Sequence, residues 1–342
     1  MKIAVAILNW NGEKLLEKYL PSVVDHSLAD AEVYVIDNGS TDNSKSVVAH
    51  SFPDVKWIAL DNNYGFSEGY NKGIQHIEAD WIVLLNSDVR VTAGWLGPLK
   101  QFVIENLGTK VLQPAILDDK SPNFYEYAGA CGGYLDKWFY PLCRGRILDS
   151  FEGINPNYSD PSPIFWASGA CCFIEKKTYQ EVGGLDSDFF AHMEEIDLCW
   201  RVLNKYPSSI YVVPESNVYH YGGATLNSAS PRKLFLNFRN SLFMIIKNHP
   251  RPWRILFIRM LLDGVAGIKF LVTLQFPYFF TVIKAHFSFY QRCRTMRKKR
   301  PKQFLFPKNV LYPKSMLVDY FLRGKRKFYE LNWSPNTDKA KR

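Results

Sequence analysis

Four short apolar runs, each cut off by a cluster of polar residues, constrain this chain more than any other feature. The runs are KIAVAIL (2–8), EVYVI (32–36), VKWIAL (55–60) and DWIVLLN (80–86), and the clusters that follow are NWNG, DNGSTDNS, DNN and NSD. Runs this short, bounded by turn formers, read as buried strands. After the first, EKLLEKYLPSVV (13–24) sets Leu15, Leu16, Tyr19 and Leu20 at helical spacing, and after the second Asp42 or Ser44 is placed to cap a helix. Strands alternating with helices pair in parallel through right-handed crossovers. Ligands of such sheets lie beyond the carboxyl ends of the strands. The pattern predicts an α/β chain whose polar clusters meet at one sheet edge.

Beyond about residue 110 the pattern is irregular. Gly, Pro and aromatic residues dominate 121–166, which predicts hairpins and loops; WASGACCFI (166–174) returns to strand character and EEIDLCWRVLNK (194–205) is helical. With 342 residues, 47% of them hydrophobic, the chain has length for about two domains and a large core. That excludes a disordered chain or a disulfide-stapled miniprotein. The six cysteines (131, 143, 171, 172, 199 and 293) form no C-x-x-C pair, so neither a thiolate zinc knuckle nor a dithiol redox motif is present, and a reduced cytoplasmic compartment is expected. The apolar stretch 3–8 is too short for a secretory h-region and reads as a strand.

Each polar cluster admits a chemical and a structural reading. Asp37, at the end of the second run, can accept from a base imide or ribose hydroxyl, or can close an ordinary Asx turn ahead of a helix. The glycines of NNYGFSEGYNKG (62–73), Gly65, Gly69 and Gly73, stand four apart; they allow close approach of a ligand or close packing of a helix, and do not form a dinucleotide fingerprint. Asn86 and Asp88 in LLNSDVRV present oxygens two residues apart at a strand end, suited to Mg²⁺ or Mn²⁺ shared with substrate phosphates, or else form a plain turn. Asp186, Asp188, Glu194, Glu195 and Asp197 crowd the start of a helix, where the dipole favours acids. Asp197 and Arg201 are spaced to pair, whereas adjacent Glu194 and Glu195 suit general-base work because crowding raises a carboxyl pKa. His220, in VYHYGGAT, is a metal or diphosphate ligand or a satisfied structural histidine.

Together and in this order, ILNWNG, VIDNGSTD, NNYGFSEGYNKG, LLNSDV, WASGACCFI, GGLDSDFFAHMEEIDLCWR and HYGGAT resemble the family 2 glycosyltransferases, in particular their rhamnosyltransferase-like branch. The resemblance runs from residue 3 to about 240. It implies a glycosyltransferase A fold with a mostly parallel central sheet, and transfer of a sugar, with inversion, from a nucleotide diphosphate donor to an acceptor hydroxyl. Asp37 then matches the acid on the donor's base or ribose, and Asn9 lies in the loop over the nucleotide. Gly65, Asn71 and Asn86 fall among the donor-binding positions. Asp88 matches the D-x-D metal position for Mg²⁺ or Mn²⁺, and His220 the later metal or diphosphate ligand. The catalytic base falls on Glu195, with Glu194 its possible substitute. Two departures stand out: Asn86 replaces the first D-x-D acid, and Glu195 stands where the family usually has Asp.

Charge divides the chain. Residues 1–231, the expected catalytic domain, hold 17 Lys/Arg against 29 Asp/Glu; residues 232–342, the expected basic helical extension, hold 25 against 4. RKLFLNFRNSLFMIIKN (232–248) reads as a helix. The apolar tract 255–290 is interrupted by Arg259, Asp263, Lys269 and Lys284, and its longest uncharged piece, 270–283, is too short to span a bilayer. RCRTMRKKRPK (292–302) follows with seven positive charges. Apolar insertion plus charge predicts attachment to an anionic membrane surface, on the cytoplasmic inner face, with core helices or a solvated tail as the alternatives. Nucleic acid is not expected as a partner, since no recognisable module accompanies the charge. The expected partners are a nucleotide-sugar and a lipid-linked or polysaccharide glycan. A dTDP- or UDP-sugar, with rhamnose among the candidate sugars, is the first expectation; a nucleotidyltransferase or an idle nucleotide-sugar-binding protein are the alternatives.

Overall fold

The computed structural model describes residues 1–222 and 230–335. The end of the HYGGAT segment, from Gly223 to Thr225, lies outside the described residues. The four apolar runs form strands β1 (Ile3–Asn9), β2 (Glu32–Asn38), β3 (Lys56–Leu60) and β4 (Trp81–Asn86), connected through α1 (Glu13–Ser27), α2 (Ser44–Ser51) and α3 (Gly65–Ile74). They pair in parallel in the order β4-β1-β2-β3. Leu8 stands opposite Asn86 and Asn9 opposite Asp37, so the polar clusters end level with one another. Apolar residues continue along each strand because both faces are covered. In β1, Ala4 and Ala6 join one core while Ile3, Val5 and Ile7 join the other, in which Leu16, Leu20 and Val23 of α1 also lie.

After β4 come β5 (Val89–Val91), α4 (Leu96–Glu105) and β6 (Val111–Asp118). The irregular segment builds a second sheet from β7 (Gly133–Asp136), β8 (Pro141–Cys143), β9 (Arg146–Ile147) and β10 (Ser150–Phe151). The chain then returns through β11 (Ser162–Pro163), β12 (Cys171–Glu175), α5 (Lys176–Glu181), α6 (Glu194–Lys205) and β13 (Ile210–His220). The main sheet runs β11-β13-β6-β12-β4-β1-β2-β3, with β5 beside β13. It is mostly parallel, as expected, but β12 lies antiparallel between β4 and β6. The structure settles the glycine spacing in favour of packing at two positions. A Cβ on Gly69 would lie 2.9 Å from Leu8 Cδ1, and one on Gly73 2.5 Å from the Ile36 side chain, so α3 lies directly on the sheet.

The basic extension is helical over α7 (Pro231–Asn248), α8 (Pro252–Val272) and α9 (Phe276–Lys298). Leu242, Phe243, Met244, Ile245 and Ile246 of α7 are fully buried in the same core as the sheet. Beyond α9, β14 (Leu311–Tyr312) pairs in parallel with β7 as the fifth strand of the second sheet, and α10 (Met316–Phe321) follows. Among the described residues no helix is long and apolar enough to cross a membrane. Three of the seven cations in 292–302 are engaged inside the fold: Arg292 and Lys299 pair with Asp186 or Asp188, and Arg300 donates to the carbonyls of Ile246, His249 and Pro250.

Candidate active site

The level strand ends place the first two clusters in contact. Asn9 Nδ2 donates to Asp37 Oδ1 (3.2 Å) and Ser40 Oγ (3.1 Å), while Asp37 Oδ2 accepts from the Ser40 N–H. The Asx-type turn is therefore real, and it fixes Asp37 at the edge of the sheet. Asn9 Oδ1 is buried without a partner. Sequence reasoning missed Asn38: it accepts from the Tyr64 N–H and donates to Asn63 Oδ1 and the Gly65 carbonyl, which ties the third cluster to the second. Gly65 opens α3 at φ +77°, a left-handed conformation that glycine tolerates best.

Asp88 and His220 are 132 residues apart in sequence and adjacent in space. The end of β13 pairs antiparallel with β5, His220 opposite Val89, and the Tyr221 N–H donates to the Asp88 carbonyl. This pairing delivers His220 to the Asn86-Ser87-Asp88 turn. His220 Nε2 lies 3.1 Å from Asp88 Oδ1, and Nδ1 lies 3.2 Å from Glu126 Oε2. All three residues are buried. Burial alone would lower the imidazole pKa, but the two flanking carboxylates outweigh it and raise it to about 10. Glu126 was not legible, since it stands in the irregular segment without a pattern. Its one sequence trace is Gly222, where a Cβ would come within 2.8 Å of Glu126 Oε1.

Among the described residues no group of three or more His, Cys, Asp or Glu could enclose a metal ion. Asp88 and His220 fit a shared cation once the imidazole gives up the proton that its two carboxylate neighbours hold on it, because a protonated ring has no lone pair to offer a metal. One carboxylate and one imidazole meet at hydrogen-bond distance, a donor set for Mg²⁺ or Mn²⁺ that leaves coordination positions for phosphate oxygens.

The five acids of the 186–197 segment sort sharply. Asp186 pairs with Lys247 and Lys299, Asp188 with Arg292 and Lys299, and Asp197 with Arg201, Lys247 and the Asn248 amide. Among the described residues Glu194 and Glu195 have no such cation, and Oε2 of each is buried without a hydrogen-bond partner. Burial, reinforced by Glu195, raises the Glu194 pKa well above the carboxylate range; burial pushes Glu195 up to about 7. Glu195 is the less enclosed of the two. A Cβ on Gly169 would lie 3.6 Å from Phe66 and 3.9 Å from the Glu195 Cβ, so Glu195 stands between the start of α3 and the entry to β12, next to the β4 end.

A strained loop holds α6 in place. Phe190, His192 and Met193 adopt φ values of +67°, +67° and +72°, which cost energy outside glycine. Asn240 holds them, its Nδ2 donating to the carbonyls of Phe189 (2.8 Å), Ala191 (2.9 Å) and His192 (2.8 Å). Arg239 donates to the carbonyls of Asp188 and Phe189. Asn71 serves the same segment. Expected among the donor contacts, it accepts instead from the Leu185 N–H and the Tyr179 hydroxyl and donates to the Leu185 carbonyl. Both ends of its amide are thus engaged within the protein.

A mostly parallel sheet with these clusters along one rim is the architecture of the nucleotide-sugar-dependent glycosyltransferases of the A fold. Residues 4–155 match the family model of glycosyl transferase family 2. Its sequence is 25% identical over 262 residues to an N-acetylglucosaminyl-diphospho-decaprenol L-rhamnosyltransferase of Mycobacterium tuberculosis, covering 70% of this chain and 82% of that protein. It is 24% identical over 232 residues to the dTDP-rhamnosyl transferase RfbF of Shigella flexneri, covering 64% and 71%. The crystal structure of GalNAc-T7 with UDP, GalNAc and Mn²⁺ superposes with a TM-score of 0.56 at 17% identity, covering 73% of this chain and about half (48%) of that one, a likeness of fold.

Proposed function

We propose that this protein is an inverting, metal-dependent glycosyltransferase. It moves a sugar, rhamnose first among the possibilities, from a dTDP- or UDP-linked donor to a hydroxyl of a lipid-linked or polysaccharide glycan. The observation that carries the reading is the unpaired Glu194 and Glu195 on the same rim as Asp88 and His220. The two rhamnosyltransferase relatives support the donor and acceptor classes.

Asp37, held by Asn9 and the Ser40 N–H, orients the nucleoside. Asp88 and His220 would hold a divalent cation, which when bound supplies charge neutralisation for the leaving diphosphate. Glu194 is the more deeply buried acid, and burial beside Glu195 raises its pKa well above the ordinary carboxylate value. Glu195 ionises near 7 and takes the proton of the acceptor hydroxyl as its oxygen attacks the anomeric carbon. The new C–O bond forms on the face opposite the breaking bond to diphosphate, and the nucleoside diphosphate departs.

The same reading places the protein on the inner membrane face. α8 exposes Trp253, Phe257, Leu261, Val265 and Ile268 at intervals of three or four, and α9 exposes Phe276, Phe280, Ile283, Phe287 and Tyr290. Arg254, Lys269, Lys284, Arg294, Arg297 and Lys298 are also exposed on these helices. An apolar face rimmed by cations suits insertion at an anionic lipid interface. The test of function is product analysis with Mn²⁺ or Mg²⁺ and a panel of sugar nucleotides. Release of nucleoside diphosphate with a glycosylated lipid supports the reading. Release of pyrophosphate makes the enzyme a nucleotidyltransferase, and no turnover with any donor and acceptor makes it an idle binder.

A further inference from the structure

The loop that carries Glu194 forms one wall of a second chamber. A cavity of about 430 Å³ lies between residues 187–190, the first half of α7 and α9. Three arginines line it: Arg232, Arg239 and Arg292. Phe190, Phe235 and Leu236 supply its apolar lining. Phe190 divides this chamber from the donor side. Its ring lies 3.7 Å from where a Gly65 Cβ would stand, and the Arg232 guanidinium lies 4.9 Å from its centroid.

The charge here is in excess. Asp188 also lines the cavity, but it is already paired with Arg292 and Lys299. Arg239 is buried and donates only to neutral oxygens, those of Asn240, Asp188 and Phe189. Arg232 has no carboxylate partner among the described residues. Arg239 and Arg292 are close enough to repel each other, which together with burial lowers the Arg239 pKa to about 10. Three guanidinium groups converging with a single acid, Asp188, leave charge to spare for a phosphate, since each can bond two oxygens in its plane.

We propose that this chamber binds the diphosphate of a lipid-linked acceptor. The inference rests on the acceptor class proposed above and assigns it a place. A diphosphate held by Arg232, Arg239 and Arg292 lies against the loop leading into Glu194 and Glu195, so a sugar attached to it is led toward the base. Phe235 and Leu236 meet the first carbons of the lipid. α9, which contributes Arg292, also carries the exposed Phe280, Ile283 and Phe287, an apolar surface for the remaining chain.

The test is equilibrium binding of farnesyl diphosphate to the full chain in EDTA, where metal-dependent binding at Asp88 and His220 is silent. The wild type binds, and Arg232→Gln weakens binding at least about tenfold, the scale of one lost charge-assisted contact. Arg232 is exposed in the first turn of α7, so this variant folds; Arg292→Gln is the second, with its melting temperature checked because Asp188 loses a partner. Asp88→Asn binds like the wild type, and inorganic pyrophosphate binds more weakly than farnesyl diphosphate. Unchanged affinity in Arg232→Gln, equal loss in Asp88→Asn, or equal binding of pyrophosphate each overturns the assignment. Binding of UDP or dTDP with Mn²⁺, measured in parallel, keeps the two readings apart. If no nucleotide binds the wild type, glycosyl transfer fails whatever farnesyl diphosphate does; if nucleotide binds and farnesyl diphosphate does not, only the chamber's role falls.

Discussion

Replacing Glu195 by Gln should make the enzyme slower and the fold more stable, in amounts fixed by the same burial. An ordinary glutamate ionises near 4.5 and Glu195 near 7. Between these values the folded chain keeps a proton that the unfolded chain has released, so stability falls as pH rises through the window. At about 1.4 kcal/mol per pH unit, the ionised carboxylate costs the fold about 3 kcal/mol at pH 8. Gln has no proton to lose. The stability difference between Glu195→Gln and wild type should therefore be near zero at pH 4 and reach about 3 kcal/mol at pH 8. With an unfolding entropy of about 2.1 cal/mol/K per residue, that is about 4 °C in Tm for a chain of this length. Turnover should fall by about 10²–10⁴-fold, the usual worth of a general base. The assays are thermal melts across pH and nucleoside diphosphate release. A Tm difference that is flat with pH, or turnover near wild type, would refute the argument, because both effects derive from one unpaired buried carboxylate.

The other expectations use different handles. The rate should rise with pH and level off above about 7, falling about tenfold per unit well below it, since protonated Glu195 cannot act as a base; a pH–rate profile checks this. Asp88→Asn should weaken Mn²⁺-dependent thermal stabilisation by nucleoside diphosphate about 10-fold or more, measured against the variant's own metal-free melting temperature, which falls because buried His220 loses a carboxylate; equal stabilisation would remove Asp88 from the metal site. Asn240→Ala should cost about 2–4 kcal/mol by urea unfolding, because several buried carbonyls lose their donor, and should reduce turnover more than donor affinity. Ser in place of both Phe280 and Phe287 should abolish most sedimentation with phosphatidylglycerol vesicles, since each buried Phe contributes about 1.5–3 kcal/mol; undiminished sedimentation would discard the hairpin as the attachment surface.

The first half of the fold was legible because local signals and tertiary pairing agree there. Each apolar run ends within two residues of its strand's end, and parallel pairing sets Asn9 opposite Asp37 and Leu8 opposite Asn86, so the polar clusters arrive together. The place of β12 was not legible: Cys171 to Glu175 look like any buried strand, and only long-range pairing decides that they run against β4. Among the acids of 186–197 spacing paired Asp197 with Arg201, but the partners of Asp186 and Asp188 were hidden, since Lys247, Arg292 and Lys299 lie fifty to more than a hundred residues away. Glu126 and Asn240 were hidden for the same reason. A carboxylate behind a histidine and an amide bridging three carbonyls are relations in space, and neither leaves a period in the sequence.

The parallel pairing of β14 with β7 has a consequence for biosynthesis. Tyr312, Met316, Phe328 and Leu331 are buried partners of a sheet whose other strands emerge from the ribosome far earlier. Until they arrive, Tyr134 lacks the stacking ring of Phe328 and the edge of Trp333. A chain still lacking this last segment thus leaves the aromatic face around Tyr134 open to solvent, and the second sheet is finished only when β14 docks on β7.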